Sequence, residues 1–576
     1  MTKKNKIIVV ALCFFTVLVL FITPAACAPK VEQVEKTDLQ KLQESKEYLE
    51  LINAVFSYVV QNYVDEVDPE TLYRGAMEGL LGSLKDPYTT YLDMSQQRSI
   101  SDTTEGQFGG VGLTITKTDY IEVTNPIEGT PGWKAGIQIG DKIIKIGETD
   151  TKDLVLEDAV SLLRGVPGTD VEITVRRGDS MEFNVVLTRA LIEVPTVKSG
   201  YISEAPGKTA FLRIIEFTPL TSARVQEALD YFIETGFTSL IIDLRDNPGG
   251  VLSSVEEVAD KFIDNGVIVS TRGRKSYYSD AYYASPELTT MPKNIPIVVL
   301  INGGSASASE ILAGALKDTR TAYLVGNNTY GKGSVQEPRG LPFEDGFKLT
   351  IAKYYTPSGA NIDKIGIPPD EEVDLPGVSI EEQEIYVNLM NSNKIYDFAN
   401  ENKNVTETQI KEFAETLYKD FPLDMVVLRR LIRIYTMEGE TLYDMDYDTQ
   451  LKRAIEIAND KNYYTMLSET KTLLQIEEEK ALELAEAYEA LMNAMTQKTK
   501  KVWREGLGWV WEADQKAIAD AKKTYDDLIH SSTIEDIEKQ KAAVGKSLED
   551  QIDALNNYVD SWEDVLNKYG DDKDHS

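Results

Sequence analysis

The segment Asn302-Gly303-Gly304-Ser305-Ala306-Ser307-Ala308-Ser309-Glu310 delivers three serines to what reads as the junction of an apolar strand and a helix. A serine at such a junction is either a helix cap or a nucleophile. Gly331-Lys332-Gly333-Ser334-Val335-Gln336 follows, with a lysine between two glycines and an amide four positions further on. A serine hydroxyl is a weak nucleophile at its own pKa and needs a neighbouring base. The two histidines, His530 and His575, lie in a highly charged C-terminal stretch, far from the serine cluster, and the two cysteines, Cys13 and Cys27, lie in the N-terminal leader. A lysine base is the remaining choice. It must be neutral to accept a proton, and burial lowers an ammonium pKa from about 10.4 to roughly 7–8. The two motifs together suggest a serine–lysine hydrolase.

Acyl transfer also needs donors for a developing oxyanion. Ser239-Leu240-Ile241-Ile242-Asp243-Leu244 has the run of apolar residues of a buried parallel strand, and it leads into Arg245-Asp246-Asn247-Pro248-Gly249-Gly250 before a helical pattern opens near Val255. Glycines at the carboxyl end of such a strand expose backbone N–H groups to a ligand. Taken singly, each motif has an ordinary structural reading: a cap, a surface lysine, a loop. Their order along two strand–turn–helix units favours the chemical one.

On these motifs the chain resembles the C-terminal processing peptidases, or tail-specific proteases. The resemblance implies that the middle serine of the S-A-S-A-S-E run, Ser307, is the nucleophile; the residues alone leave Ser305, Ser307 and Ser309 open. It implies that Lys332 is the base and that Gln336 orients it, and a spacing of four puts both side chains on one face of a strand. It further implies oxyanion donors from Gly249 or Gly250 together with the amide of Ala308. The expected fold is α/β and multidomain: an α/β serine-peptidase core, crotonase/ClpP-like by the resemblance, with an inserted PDZ domain, N-terminal helices and a C-terminal helical extension.

The rest of the chain is read around that site. A length of 576 residues exceeds what one core encloses. A net charge of −34 argues against nucleic-acid binding and suits a soluble extracytoplasmic body. Lys3, Lys4 and Lys6 precede an apolar run from Ile7 to Ile22 and then Pro24-Ala25-Ala26-Cys27, the layout of an export signal. The leader, residues 1–27, resembles a bacterial lipoprotein signal in which Cys27 is acylated, although Pro24 stands where leucine is usual; ordinary cleavage and an uncleaved anchor are the alternatives. Attachment to the cell envelope follows as an expectation.

Residues 38–104 read as helices, with Leu49, Ile52, Val55, Phe56 and Val59 at helical spacing. This segment resembles the family's N-terminal region, which can support dimerisation. Residues 105–190 switch to short strands and turns around one amphipathic helix, Glu157 to Arg164, and resemble a PDZ domain. Such modules take a peptide tail onto a sheet edge while backbone amides hold its carboxylate; Gly109, Gly110, Val111, Gly112 and Leu113 are the candidate carboxylate loop. Residues 191–375 alternate strand and helix as an α/β core does, with a strand at 297–301, a helix from Glu310 to Leu316 and strands at 322–325, 347–352 and 354–359. Residues 376–469 read as an α-rich region, and residues 470–576 as a charged helical, coiled-coil-like extension. Two stripes carry that last reading: Leu484, Tyr488, Leu491 and Met495, and then Leu548, Ile552, Leu555, Val559, Trp562 and Leu566. A turn at Gly506 and Gly508, among Trp503, Trp509 and Trp511, is expected to join the helices.

The expected activity is that of a serine endopeptidase acting on unfolded or tail-exposed proteins through an acyl-enzyme, with no cofactor or metal. A non-catalytic PDZ scaffold, or an assembly protein that keeps the peptidase fold, is the alternative.

Overall fold

A computed structural model describes residues 38–531 apart from 179, 194, 403–404, 438–441, 497, 505–507 and 514. The leader with Cys27 and the stripe from Leu548 to Leu566 therefore lie outside the described residues, as does Gly506. Residues up to Ser83 and those from Leu84 onward form two units. In the first, helices Asp38–Asn62 and Pro69–Gly82 occupy the expected positions. Asp68 caps the second by accepting from the Glu70 amide at 3.1 Å, with proline at the first helical position where its missing N–H costs nothing.

In the second unit, a six-stranded sheet runs in the order Val197–Tyr201, Thr209–Ile214, Ser239–Asp243, Ile297–Ile301, Tyr323–Gly326, Glu371–Glu372. The first pair is antiparallel and the remaining pairs are parallel. Its central strands are largely apolar because both faces are covered. Leu240, Ile242, Val299 and Ile301 point into the larger core, with Val225, Leu229 and Phe232 of helix Thr221–Thr235, Val255 and Val258 of Leu252–Asp260, and Leu312 and Leu316 of Ala308–Asp318. The alternate residues, Ile241, Val298 and Leu300, meet Leu451, Ala454 and Ile455 of helix Thr449–Ala458 and Tyr463 and Leu467 of Tyr463–Glu469.

A second, antiparallel sheet joins Thr90–Leu92, Gly346–Tyr355, Val267–Gly273 and Asp280–Tyr283, with Ser334–Gly340 also paired to Gly346–Tyr355. The single strand Gly346–Tyr355 stands in place of the two short strands expected at 347–352 and 354–359, and it ends at Tyr355. The inserted module is a separate six-stranded antiparallel sheet with its own core of Ile121, Val123, Ile143, Ala159, Leu163, Ile173 and Val175. Its link to the peptidase sheet is the strand pair Gln107–Gly110 and Ala190–Glu193.

Helices Gln383–Asn391, Lys394–Glu401, Glu407–Tyr418 and Met425–Thr436 form a satellite bundle around Leu389, Ile410, Leu417, Leu428 and Ile432. Beyond it, the extension departs from the sequence expectation. Helix Leu473–Thr496 is followed by a strand pair, Lys498–Arg504 with Gly508–Ala513, and only then by helix Gln515–Ser531. The β-branched and aromatic residues Val502, Trp503, Trp509, Val510 and Trp511 favour an extended pair over a bare turn between helices. Among the described residues no helix is long and apolar enough to cross a membrane.

Helix Thr449–Ala458 is tied to the sheet by a buried charge network. Arg245 donates to both oxygens of Asp243, at 2.9 and 2.8 Å, to both oxygens of Asp448, at 2.9 and 2.7 Å, and to Gln450 at 3.1 Å. The Asp243 side chain is 1% exposed, so removing its partner leaves a charge without water or counterion. Arg245→Ala is therefore expected to destabilise the peptidase domain by about 3–5 kcal/mol in urea unfolding. Arg98→Ala, which breaks an exposed pair with Glu344, is expected to cost less than about 1 kcal/mol.

Candidate active site

The three serines occupy three different environments. Ser305 and Ser309 are fully buried, and their hydroxyls donate to the carbonyls of Leu244 at 2.8 Å and Asn247 at 2.9 Å. Both are fasteners between the serine turn and the glycine-bearing loop. Ser307 lies between them, partly exposed, at φ +55° and ψ −115°. A non-glycine residue with positive φ is uncommon and strained, and such strain persists where surrounding bonds over-determine it.

Those bonds come from Glu310. Its carboxylate is fully buried and takes four donors: the Thr329 hydroxyl at 2.6 Å and the Gly331 amide at 2.7 Å on Oε1, and the Ser307 and Lys332 amides, each at 2.8 Å, on Oε2. The backbone of Ser307 and that of Lys332 thus share one acceptor atom. Burial pushes the Glu310 carboxyl pKa upward, opposed by these four bonds, which favour the ionised form. The sequence reading placed Glu310 only as the start of a helix. Its three-residue offset from Ser307, the spacing of a capping box, was the available signal.

Lys332 lies just before strand Ser334–Gly340, within its loop. Desolvation by burial, with the charge of Lys348 adding to it and that of Glu310 opposing it, holds the Lys332 amine below the ordinary lysine range. The Tyr354 hydroxyl donates to the Lys332 carbonyl and lies beside the Ser307 side chain. Gly333 is obligatory, since a Cβ there would lie 2.3 Å from the Asp363 amide nitrogen. Gln336 does not sit on Lys332. Its amide donates to the Ser334 hydroxyl at 2.9 Å and to Thr350 at 3.3 Å. The shared strand face expected for the two side chains is absent because the strand begins only at Ser334 and a bulge between Val335 and Gln336 breaks the alternation.

The glycine loop is folded onto the serine turn. The Asn247 carbonyl accepts from the Ala306 amide at 2.9 Å, and a Cβ on Gly249, at φ +104°, would lie 2.7 Å from the Ser307 Cβ and 2.8 Å from the Ala308 nitrogen. Gly249 thus permits the close approach, while its own N–H donates to Asn247 Oδ1 at 2.9 Å. Among the described residues the N–H groups of Gly250 and Ala308 have no acceptor. These two, and not Gly249, are the donors left for an anion.

In the inserted module, Gly109 and Gly110 lie in the strand paired with Leu191 and Ala190, and Leu113 opens the next strand. The expected five-residue loop narrows to the turn at Val111 and Gly112, because the flanking residues are committed to ladders. Gly112, at φ +73°, packs so closely on Thr130 that a Cβ would lie 2.2 Å from it.

Residues 208–373 match peptidase family S41, residues 122–177 match a PDZ domain, and residues 7–96 match the N-terminal domain of the activating protease CtpB. The chain is 40% identical over 328 residues to the carboxy-terminal-processing protease of Bartonella bacilliformis, covering 56% of this chain and 74% of that one. It is 30% identical over 454 residues to the carboxy-terminal processing protease CtpA of Bacillus subtilis, covering 77% and 90%. Among solved structures, the photosystem II D1 C-terminal processing protease is 31% identical, covers 57% of this chain and 94% of its own, and superposes with a TM-score of 0.34. The fold is that of a serine-type peptidase carrying a PDZ domain. The chain belongs to the carboxy-terminal processing protease family.

Glu310→Gln replaces one acceptor oxygen by a donor that faces two of the four N–H and O–H groups. The expected loss is about 3 kcal/mol in unfolding free energy, together with cleavage, whereas Ser307→Ala is expected to lose cleavage alone. Urea unfolding and a cleavage assay on the same preparations check the distinction.

Proposed function

We propose that this protein is an extracytoplasmic endopeptidase that cleaves proteins through a Ser307–Lys332 pair and an acyl-enzyme. The observation that carries this reading is the single Glu310 oxygen that accepts the amides of both Ser307 and Lys332, one strained and the other leading a buried amine. Neutral Lys332 takes the proton as the Ser307 hydroxyl attacks a peptide carbonyl, and the N–H groups of Gly250 and Ala308 receive the oxyanion. The resulting ammonium supplies the proton to the departing amine, and water activated by the same lysine then hydrolyses the ester. Gln336 acts through Thr350 and Ser334 on the strand next to the lysine.

The PDZ domain selects free C-termini, with the backbone at Val111 and Gly112 receiving the carboxylate, so unfolded or tail-exposed proteins are the substrates. Residues 1–27 direct the chain across a membrane, and Cys27 anchors it there by a lipid. The acidic composition suits a soluble domain outside the cytoplasm.

Ser307→Ala and Lys332→Ala are each expected to lower kcat at least about 1000-fold on an unfolded protein, with the thermal transition unchanged. Substantial cleavage by either variant defeats the pair. Because the reacting form of Lys332 is neutral and its pKa is lowered, kcat/KM is expected to rise with pH along an ascending limb below the ordinary lysine value of about 10.4. Amidating the C-terminus of a peptide substrate is expected to raise KM several-fold with little change in kcat, measured by initial rates.

A further inference from the structure

The segment Asp86–Leu92 lies far from Lys332 in sequence, on the other side of the PDZ domain, yet it forms part of the wall around the lysine. The Lys332 Nζ lies 5.6 Å from the centre of the Tyr88 ring. Tyr88 is held from two directions. Its hydroxyl is hydrogen-bonded to the Tyr330 side chain, and its amide donates to Asp86 Oδ1 at 3.0 Å. Asp86 also accepts from the Thr89 hydroxyl at 2.6 Å and is hydrogen-bonded to Thr350. The Thr350 amide in turn donates to the Thr89 oxygen at 3.1 Å, and the Thr350 hydroxyl receives Gln336 at 3.3 Å. Directly after this turn, Thr90–Leu92 pairs with Gly346–Lys348, placing Thr90 opposite Lys348. One short segment therefore carries the ring beside the amine and braces the strand bearing its second cation.

We propose that Tyr88 is a positioning residue for Lys332: its ring excludes water from the amine, and Asp86, Thr89 and the Thr90–Leu92 strand hold the ring in place. The proposal rests on Lys332 as the base. A ring face attracts an ammonium, but 5.6 Å is near the outer limit of about 6 Å for that attraction. Removal of water acts in the opposite direction and favours the neutral amine. Burial already holds the Lys332 amine below the ordinary lysine range, and the distance of the ring leaves exclusion of water as its larger effect. The charged and titratable groups around it are Lys348 on strand Gly346–Tyr355, Glu310 on the serine helix, Tyr354 at its carbonyl, and Tyr330 and Asp363 beside Tyr88, with Lys353 paired to Asp363 and Lys364 facing Asp86. None of these is removed by truncating Tyr88.

The test is the pH dependence of kcat/KM on an unfolded protein, using the full chain and its Tyr88→Ala and Tyr88→Phe variants. Labelling of Ser307 by a fluorophosphonate is followed in parallel. Tyr88→Ala is expected to move the ascending limb to higher pH by about one unit, so that its deficit at neutral pH shrinks as pH rises. Tyr88→Phe keeps the ring and is expected to leave the limb in place, whatever the loss of the Tyr330 bond does to its height. A Tyr88→Ala profile lowered uniformly, with the limb unmoved, overturns the proposal and leaves the ring a packing role. If Tyr88→Ala loses its thermal transition, Thr89→Val, which removes the acceptor of the Thr350 amide, carries the test: its limb is expected to move in the same direction, and an unmoved limb overturns the proposal. Cleavage by Lys332→Ala is a separate result that refutes the base assignment itself, and is distinguishable because it does not depend on Tyr88.

Discussion

The site is organised by the burial of one carboxylate. Glu310 has no access to water, and an ionised group in that position is tolerable only when its lone pairs are filled. Four donors fill them, drawn from two separate stretches of chain: Ser307 from the start of its own helix, and Thr329, Gly331 and Lys332 from the loop that precedes Ser334–Gly340. The requirement to satisfy the carboxylate is therefore also a requirement that these stretches meet. Neither the positive φ of Ser307 nor the position of Lys332 off the strand has an explanation in local propensity; both follow from where the carboxylate needs its N–H groups.

A second buried network plays the corresponding part at a larger scale. Arg245 stands two residues after Asp243 and two before Asn247, at the end of a central strand, and its guanidinium is fully used by Asp243, Asp448 and Gln450. Gln450 continues the network to Asn327 at 2.9 Å and the Val373 carbonyl at 2.7 Å. Helix Thr449–Ala458 is thereby a structural part of the sheet that carries the glycine loop, although the satellite bundle separates them in sequence. Asn247 connects this level to the site, because the same residue accepts the Gly249 amide and, through its carbonyl, binds both Ala306 and Ser309.

What the sequence makes legible here is what depends on local pattern. The buried runs at 239–244 and 297–301 announce strands because both faces are apolar, and the glycines beside them mark places where a side chain has no room. The resemblance to a peptidase family supplies the choice of Ser307, and the burial of Ser305 and Ser309, with their hydroxyls on main-chain carbonyls, is not legible in the sequence. Three further features were illegible because they depend on contacts between distant segments. The Gly249 amide is occupied by Asn247, which a reading of glycines as free donors does not foresee. Gln336 is displaced by a bulge that spacing alone cannot register. The Asp86–Leu92 turn falls within the stretch read as N-terminal helices, and nothing in its composition indicates that it reaches Lys332. The strand pair at 498–513 is a different case: its alternating lysines, valines and tryptophans were present to be read, but the helical period on either side concealed them.

The opening alternatives for the serine cluster, cap or nucleophile, are not exclusive, because Ser307 stands at the start of its helix with its main chain and its hydroxyl in separate roles. A capping residue normally keeps an extended backbone and turns its side chain toward the first free amides of the helix. Ser307 departs from this in its positive φ, while the carboxylate reaching back from Glu310 to its backbone amide is the half of a capping box that holds the helix start. The fixed partner of the serine is thus its main chain, so the conformation does not rely on the hydroxyl. That hydroxyl lies beside the side chain of Tyr354, a residue that also holds the Lys332 carbonyl. A side chain whose backbone is secured by another residue is free to exchange one partner for another during a reaction.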